Sequence, residues 1–149
     1  MSYWDTSALV KLFAKESDSL SFHSHAAGIP QRLITAEFAR MELWATLRRK
    51  EAEGALVSGE ARTLLSEFDV SCEQGKWKLV PDSRAVRAEF DRVIEQCCSH
   101  TPPVFIRTLD AWHIAAARVV GESEIVAPDK RLRDAATLLG FQLFPTLTP

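Results

Sequence analysis

The chain has 149 residues, 18 Lys and Arg against 20 Asp and Glu, and a formal net charge of −2. With 46% hydrophobic and 26% charged residues it falls in the globular range, which excludes wholesale disorder. The length suits a single domain over residues 1–149, and no apolar run approaches the ~20 residues of a membrane-spanning helix.

A near-neutral domain is also a poor generic polyanion binder, because that affinity comes from Lys and Arg neutralising phosphates. Any nucleic acid must be met by local basic clusters or a metal ion. The N-terminus, Met1-Ser-Tyr-Trp-Asp5, lacks the basic-then-apolar layout of a secretory signal, so a cytoplasmic protein is expected. Cys72, Cys97 and Cys98 are odd in number and form no C-x-x-C, which favours reduced thiols on helices over disulfides or zinc.

Taken in chain order, Tyr3-Trp4 opens as a strand stub, and helices are expected over 6–15 and 17–27. A short strand at 33–35 runs directly into a long helix at 36–53, followed by an amphipathic helix at 60–73 that closes near Gly75. A strand at 77–80, a helix at 83–98 and an alanine-rich helix at 108–120 come next. The chain ends with a strand at 124–127, a helix at 129–139 and a strand at 141–144. Strands alternating with helices imply crossovers onto a mostly parallel sheet covered on both faces, an α/β/α three-layer fold.

In such a sheet ligands sit beyond the carboxyl ends of the strands. Asp5 follows the first strand and Asp129 follows Ile125-Val126-Ala127-Pro128, so both project toward that edge. Each also stands where a carboxylate serves simply as an N-cap. Glu42 lies about 160° around its helix from the charged arc of Glu37, Arg40, Arg48 and Glu51, flanked by Phe38, Met41 and Ala45. A carboxylate there needs a partner, either Arg49 one turn on or a functional group. Asp110 falls in the first turn of its apolar helix, where the dipole alone favours it. His113, one turn later, either orients a carboxylate or fills the core.

Four acids at one edge repel, and a hard divalent cation such as Mg²⁺ or Mn²⁺ relieves them. In order and spacing, Asp5-Thr-Ser-Ala-Leu-Val-Lys11, Glu42 within Glu37-Phe-Ala-Arg-Met-Glu-Leu-Trp-Ala-Thr-Leu-Arg48, Arg107-Thr-Leu-Asp-Ala-Trp-His-Ile-Ala-Ala116 and Ala127-Pro-Asp-Lys-Arg-Leu132 resemble a PIN domain. The resemblance is to the VapC-type toxin ribonucleases of bacterial toxin–antitoxin pairs and covers almost the whole chain. It implies a PIN-like fold, and a Mg²⁺-dependent endoribonuclease in which Asp5 and Asp110 hold the principal ion. Glu42 then matches the third acid and Asp129 the fourth, while Ser7 and Thr108 match accompanying hydroxyls. Ala127 and Pro128 depart from the pattern, since a Ser or Thr often stands two residues before the last acid.

The resemblance further implies water attack leaving a 3′-hydroxyl and a 5′-phosphate, a cognate antitoxin whose C-terminal segment blocks the crevice, and a homodimer. Lys11, Arg107, Lys130, Arg131 and Arg133 are candidate contacts to a structured RNA with a single-stranded loop, whose unstacked bases a protein can reach. Phe13, Trp44, Leu47 and Phe68 are candidate dimer contacts. The alternative is a degenerate PIN domain that binds protein or RNA without catalysis. An aspartyl-phosphate hydrolase would want a second Asp at position 7, which is Ser, and a receiver-like module would want an Asp after the strand at 33–35.

Overall fold

A computed structural model describes residues 1–146. Five short strands, Ser2–Trp4 (β1), Leu33–Ala36 (β2), Trp77–Val80 (β3), Glu124–Val126 (β4) and Gln142–Phe144 (β5), pair in parallel in the order β3-β2-β1-β4-β5. The helices are Thr6–Phe13 (α1), Ser19–Ala27 (α2), Ala39–Ala52 (α3), Glu60–Glu73 (α4), Arg84–Ser99 (α5), Thr108–Val119 (α6) and Lys130–Leu138 (α7). Among the described residues, no helix is long and apolar enough to cross a membrane.

Successive strand side chains point to opposite faces, and this divides the core into two layers. Tyr3, Ile34, Ala36, Ile125 and Ala127 pack with residues of α5, α6 and α7. Trp4, Trp77 and Val126 pack with residues of α1, α3 and α4 and with Phe22 of α2. Because both faces are covered, the strands read as nearly continuous apolar runs instead of alternating ones.

Strand β1 is bonded to β2 on one side and β4 on the other, so the chain reverses its direction of travel across the sheet here. That reversal opens a crevice beyond the carboxyl ends of β1 and β4. The backbone N–H of Asp5 donates to the Val126 carbonyl at 3.1 Å, which brings the two exits side by side.

Three expectations need correction. The long helix does not start at residue 36: Ala36 pairs with Val80, and the Glu37 N–H donates to the Val80 carbonyl, so sheet pairing holds this stretch extended. Helix α3 then buries Ala39, Leu43 and Leu47, whereas Met41 and Ala45 are exposed. Glu42 therefore borders the buried stripe and does not sit within an apolar arc.

The candidate dimer contacts are also largely used up internally. Leu47 and Phe68 are fully buried, Phe13 meets Phe68 edge-on at 5.6 Å, and the guanidinium groups of Arg48 and Arg62 lie over the Trp44 ring. The exposed large apolar side chains include Met41, Phe105 and Leu109. The cysteines are free thiols: Cys97 buried, Cys98 exposed and Cys72 between the two.

Candidate active site

The crevice is a cleft of about 560 Å³ lined by Asp5, Glu42, Asp110 and Asp129 together with Thr6, Ser7, Lys11, Glu16, Arg49, Lys50, Arg107 and His113. Four elements distant in sequence each deliver one acid. Asp5 and Asp129 leave β1 and β4, Glu42 comes from the first turn of α3, and Asp110 from the first turn of α6.

Capping and cleft placement coincide. One Asp5 oxygen accepts from the Ala8 N–H at 2.7 Å and caps α1, while the other accepts from the Ser7 hydroxyl at 2.7 Å. Asp129 caps α7 by accepting from the Arg131 N–H at 2.9 Å and turns its second oxygen to Arg107 at 3.3 Å. The N-cap requirement sets where each carboxylate stands. The sheet's reversal sets that both stand in one place.

Glu42 has no bond to Arg49. Its Oε1 accepts from the Thr6 hydroxyl at 2.6 Å and from His113 Nε2 at 2.8 Å. A carboxylate only accepts, so Nε2 carries a proton, and Nδ1 lies 2.8 Å from the Tyr3 hydroxyl, which donates to it when the ring is neutral and accepts from it when the ring is charged. Tyr3, His113 and Thr6 are buried, and their chain of bonds locks the Glu42 carboxylate from the core side. His113 thus orients an acid; Thr6 and Tyr3 do so unannounced by the sequence pattern. An acid and a buried His facing each other from α3 and α6 would be their one sequence signal.

The two neighbouring acids are driven in opposite directions. Burial pushes Asp5 up to about 6, with the Asp110 charge adding to it, against the pull of His113, Ser7 and the Ala8 N–H. Burial works the same way on Glu42, but the hydrogen bond and attraction of His113, then Thr6 and Arg107, outweigh it and hold the carboxyl below its usual range. Asp5 takes part in no ion pair among the described residues, and Arg107 reaches only Asp110 and Asp129.

Of the basic residues expected at the crevice, Lys11 and Arg107 line it. Arg133 does not face it: its side chain is buried and donates to the carbonyls of Ala127 and Pro145. Lys130 pairs with Asp134 on the surface. Arg49, expected only as a partner for Glu42, and Lys50, which the sequence did not single out, line the cleft instead. Trp112 is half-buried and packs against Phe38 and Phe90.

A three-layer fold with an acid-lined cleft at a parallel sheet's reversal point defines a class of α/β domains. Within it, the PIN-domain profile matches residues 2–138, and the chain belongs to that family. Over 144 residues it is 29% identical to Ribonuclease VapC35 of Mycobacterium tuberculosis, covering 93% of this chain and 92% of that protein.

Solved structures share the fold. VapC20 of Mycobacterium tuberculosis, described as a sarcin-ricin loop cleaving toxin, superposes with a TM-score of 0.67 at 18% identity, over 91% of this chain and 95% of its own. FitAcB from Neisseria gonorrhoeae gives 0.69 at 15% identity, over 97% and 96%. VapBC2 from Rickettsia felis, bound to a DNA fragment from its promoter, gives 0.64 at 11%, over 96% and 97%.

The donor set can be judged by its chemistry. Four carboxylates, one of them buried without a cation and resisting ionisation, suit a hard divalent ion. Among the described residues, however, no three His, Cys, Asp or Glu side chains stand close enough together to share one ion. That arrangement does not fit an all-protein cage. It does fit Mg²⁺, which keeps most of its waters and takes one or two carboxylates directly.

Proposed function

We propose that this chain is a divalent-metal-dependent endoribonuclease and the toxin half of a toxin–antitoxin pair. The observation that carries this reading is the convergence of Asp5, Glu42, Asp110 and Asp129 in one cleft where, among the described residues, Arg107 is the only Lys or Arg paired with any of them. The name of the 29% identical relative supports ribonuclease activity, and the antitoxin complexes among proteins of the same fold support a small protein partner.

Asp5 and Asp110 would hold the principal ion, with Glu42 and Asp129 completing its surroundings directly or through water. Bound there, Mg²⁺ or Mn²⁺ supplies a water of lowered pKa and a counter-charge for the phosphate and the leaving oxygen. The protein's own part is positional. Ser7 and the α1 N-terminus aim Asp5, while the Tyr3–His113–Thr6 chain aims Glu42. Lys11, Arg49 and Lys50 at the rim meet flanking phosphates of an RNA loop. Lys11 and Lys50 both share Glu16, at 2.5 and 2.6 Å, which fixes their spacing. Two copies would associate through side chains left exposed, Met41, Phe105 and Leu109 among them.

Mapping RNA 5′ ends in cells after induction tests activity and target together. Wild type should produce new 5′-phosphate ends, and Asp5→Asn and Asp110→Asn should lower their yield by about 10²-fold or more. Purified protein should lose cleavage in EDTA and regain it with Mn²⁺. Cleavage that persists in EDTA or in Asp110→Asn would refute the reading.

A further inference from the structure

Arg107 stands just before α6 and bridges two of the four acids. Its Nε donates to Asp110 Oδ2 at 2.8 Å and its Nη2 to Asp129 Oδ2 at 3.3 Å, so one guanidinium ties the start of α6 to the start of α7. The side chain is 55% exposed, whereas that of Asp110 is only 13% exposed. More than half exposed, the guanidinium is held chiefly by these two carboxylates. Of the other cleft cations, Lys11 and Lys50 are already held by Glu16.

A divalent ion on Asp110 and a guanidinium donating to the same carboxylate are two positive charges competing for one anion. In a partly desolvated cleft they repel strongly. The same planar fork matches a phosphate as well as it matches two carboxylates. We propose that Arg107 is a two-position residue: it clasps Asp110 and Asp129 when no divalent ion is bound, and releases them to grip an RNA phosphate when one is. This rests on the metal-dependent ribonuclease reading and adds to it a coupling between ion and RNA. The ion frees the guanidinium, the guanidinium then holds substrate, and by linkage each favours the other.

The test reads binding, not turnover. Mn²⁺ affinity is measured by titrating free Mn²⁺ in the electron paramagnetic resonance spectrum for wild type, Arg107→Gln and Arg107→Lys, with Arg87→Gln, on the remote Asp82 pair, as control. Arg107→Gln should bind Mn²⁺ at least about fivefold more tightly than wild type, Arg107→Lys should fall between, and Arg87→Gln should match wild type. A fluorescent single-stranded RNA 12-mer is then bound with Ca²⁺ as a non-cleaving ion, or in EDTA. Arg107→Gln should weaken RNA binding at least about fivefold with Ca²⁺ and little in EDTA.

Mn²⁺ affinity that is unchanged or weaker in Arg107→Gln overturns the proposal, as does an equal loss of RNA binding in both conditions. If wild type binds Mn²⁺ and Arg107→Gln binds it no better, the two-position idea fails alone. If no form binds Mn²⁺, the metal reading fails with it.

Discussion

Asp5 shows how capping and burial act on one residue at cross purposes. As an N-cap it fastens α1, yet its burial pushes the carboxyl up to about 6. At this site the folded chain therefore holds more of a proton than the unfolded chain between pH ~4 and ~6, and the contribution of Asp5 to stability falls as pH rises through that window. At about 1.4 kcal/mol per pH unit, the cost above pH 6 is at most roughly 3 kcal/mol. Asn caps as well and carries no charge. In EDTA at pH 7.5, Asp5→Asn should melt several degrees above wild type, the gap closing near pH 4, by calorimetry. A lower melting temperature at pH 7.5 would contradict the assignment.

Glu42 behaves in the opposite sense. Its depressed pKa contributes stability that is present above the ordinary carboxylate range and is lost as pH falls. The supporting His113 is the more exposed to mutation, because His113→Leu strands the Tyr3 hydroxyl and removes a donor from Glu42. A loss of about 2–3 kcal/mol is expected from denaturant unfolding, and Tyr3→Phe should cost less, since it removes only the outer link. Equal costs for the two would mean that the chain of bonds does not act through His113.

At the scale of elements, each strand-to-helix junction does double duty. Asp129 caps α7 with one oxygen and meets Arg107 with the other. Asp129→Ser keeps a capping oxygen without the charge, whereas Asp129→Ala keeps neither. Thermal melts should place Asp129→Ala about 1 kcal/mol below wild type and Asp129→Ser near it, while both lose RNA cleavage. Activity retained in Asp129→Ser would reduce this residue to a cap. Elements were also what the sequence revealed best: 60–73 and 77–80 were expected where α4 and β3 stand, and the other ends shifted by up to three residues. The largest shift, at the start of α3, arose because pairing of Ala36 with Val80 overrode the local helical pattern.

Across the whole molecule, the cleft is as rigid as the layers that carry its walls. Helix α3 is anchored by Ala39, Leu43 and Leu47, and Glu42 rides on that buried stripe. Leu47→Ala, more than one turn from Glu42, should cost about 2–5 kcal/mol by the cavity it opens. It should also weaken Mn²⁺-induced stabilisation, read as a smaller rise in melting temperature. An unchanged rise would show that the cleft is independent of α3 packing.

Length, charge, strand–helix alternation and the four acids were legible from the chain because they depend on composition, period and local order, which neighbours in sequence determine. The cap positions of Asp5 and Asp129 were equally local. What lay beyond reach were contacts made across the sheet's reversal: Glu42 bonded to His113 and Thr6 and not to Arg49, Arg133 turned inward, and Arg107 laid over two acids. Those choices turn on ångström distances, several of them between residues far apart along the chain, 22 positions for Arg107 and Asp129 and 71 for Glu42 and His113, and only the packed layers set such distances.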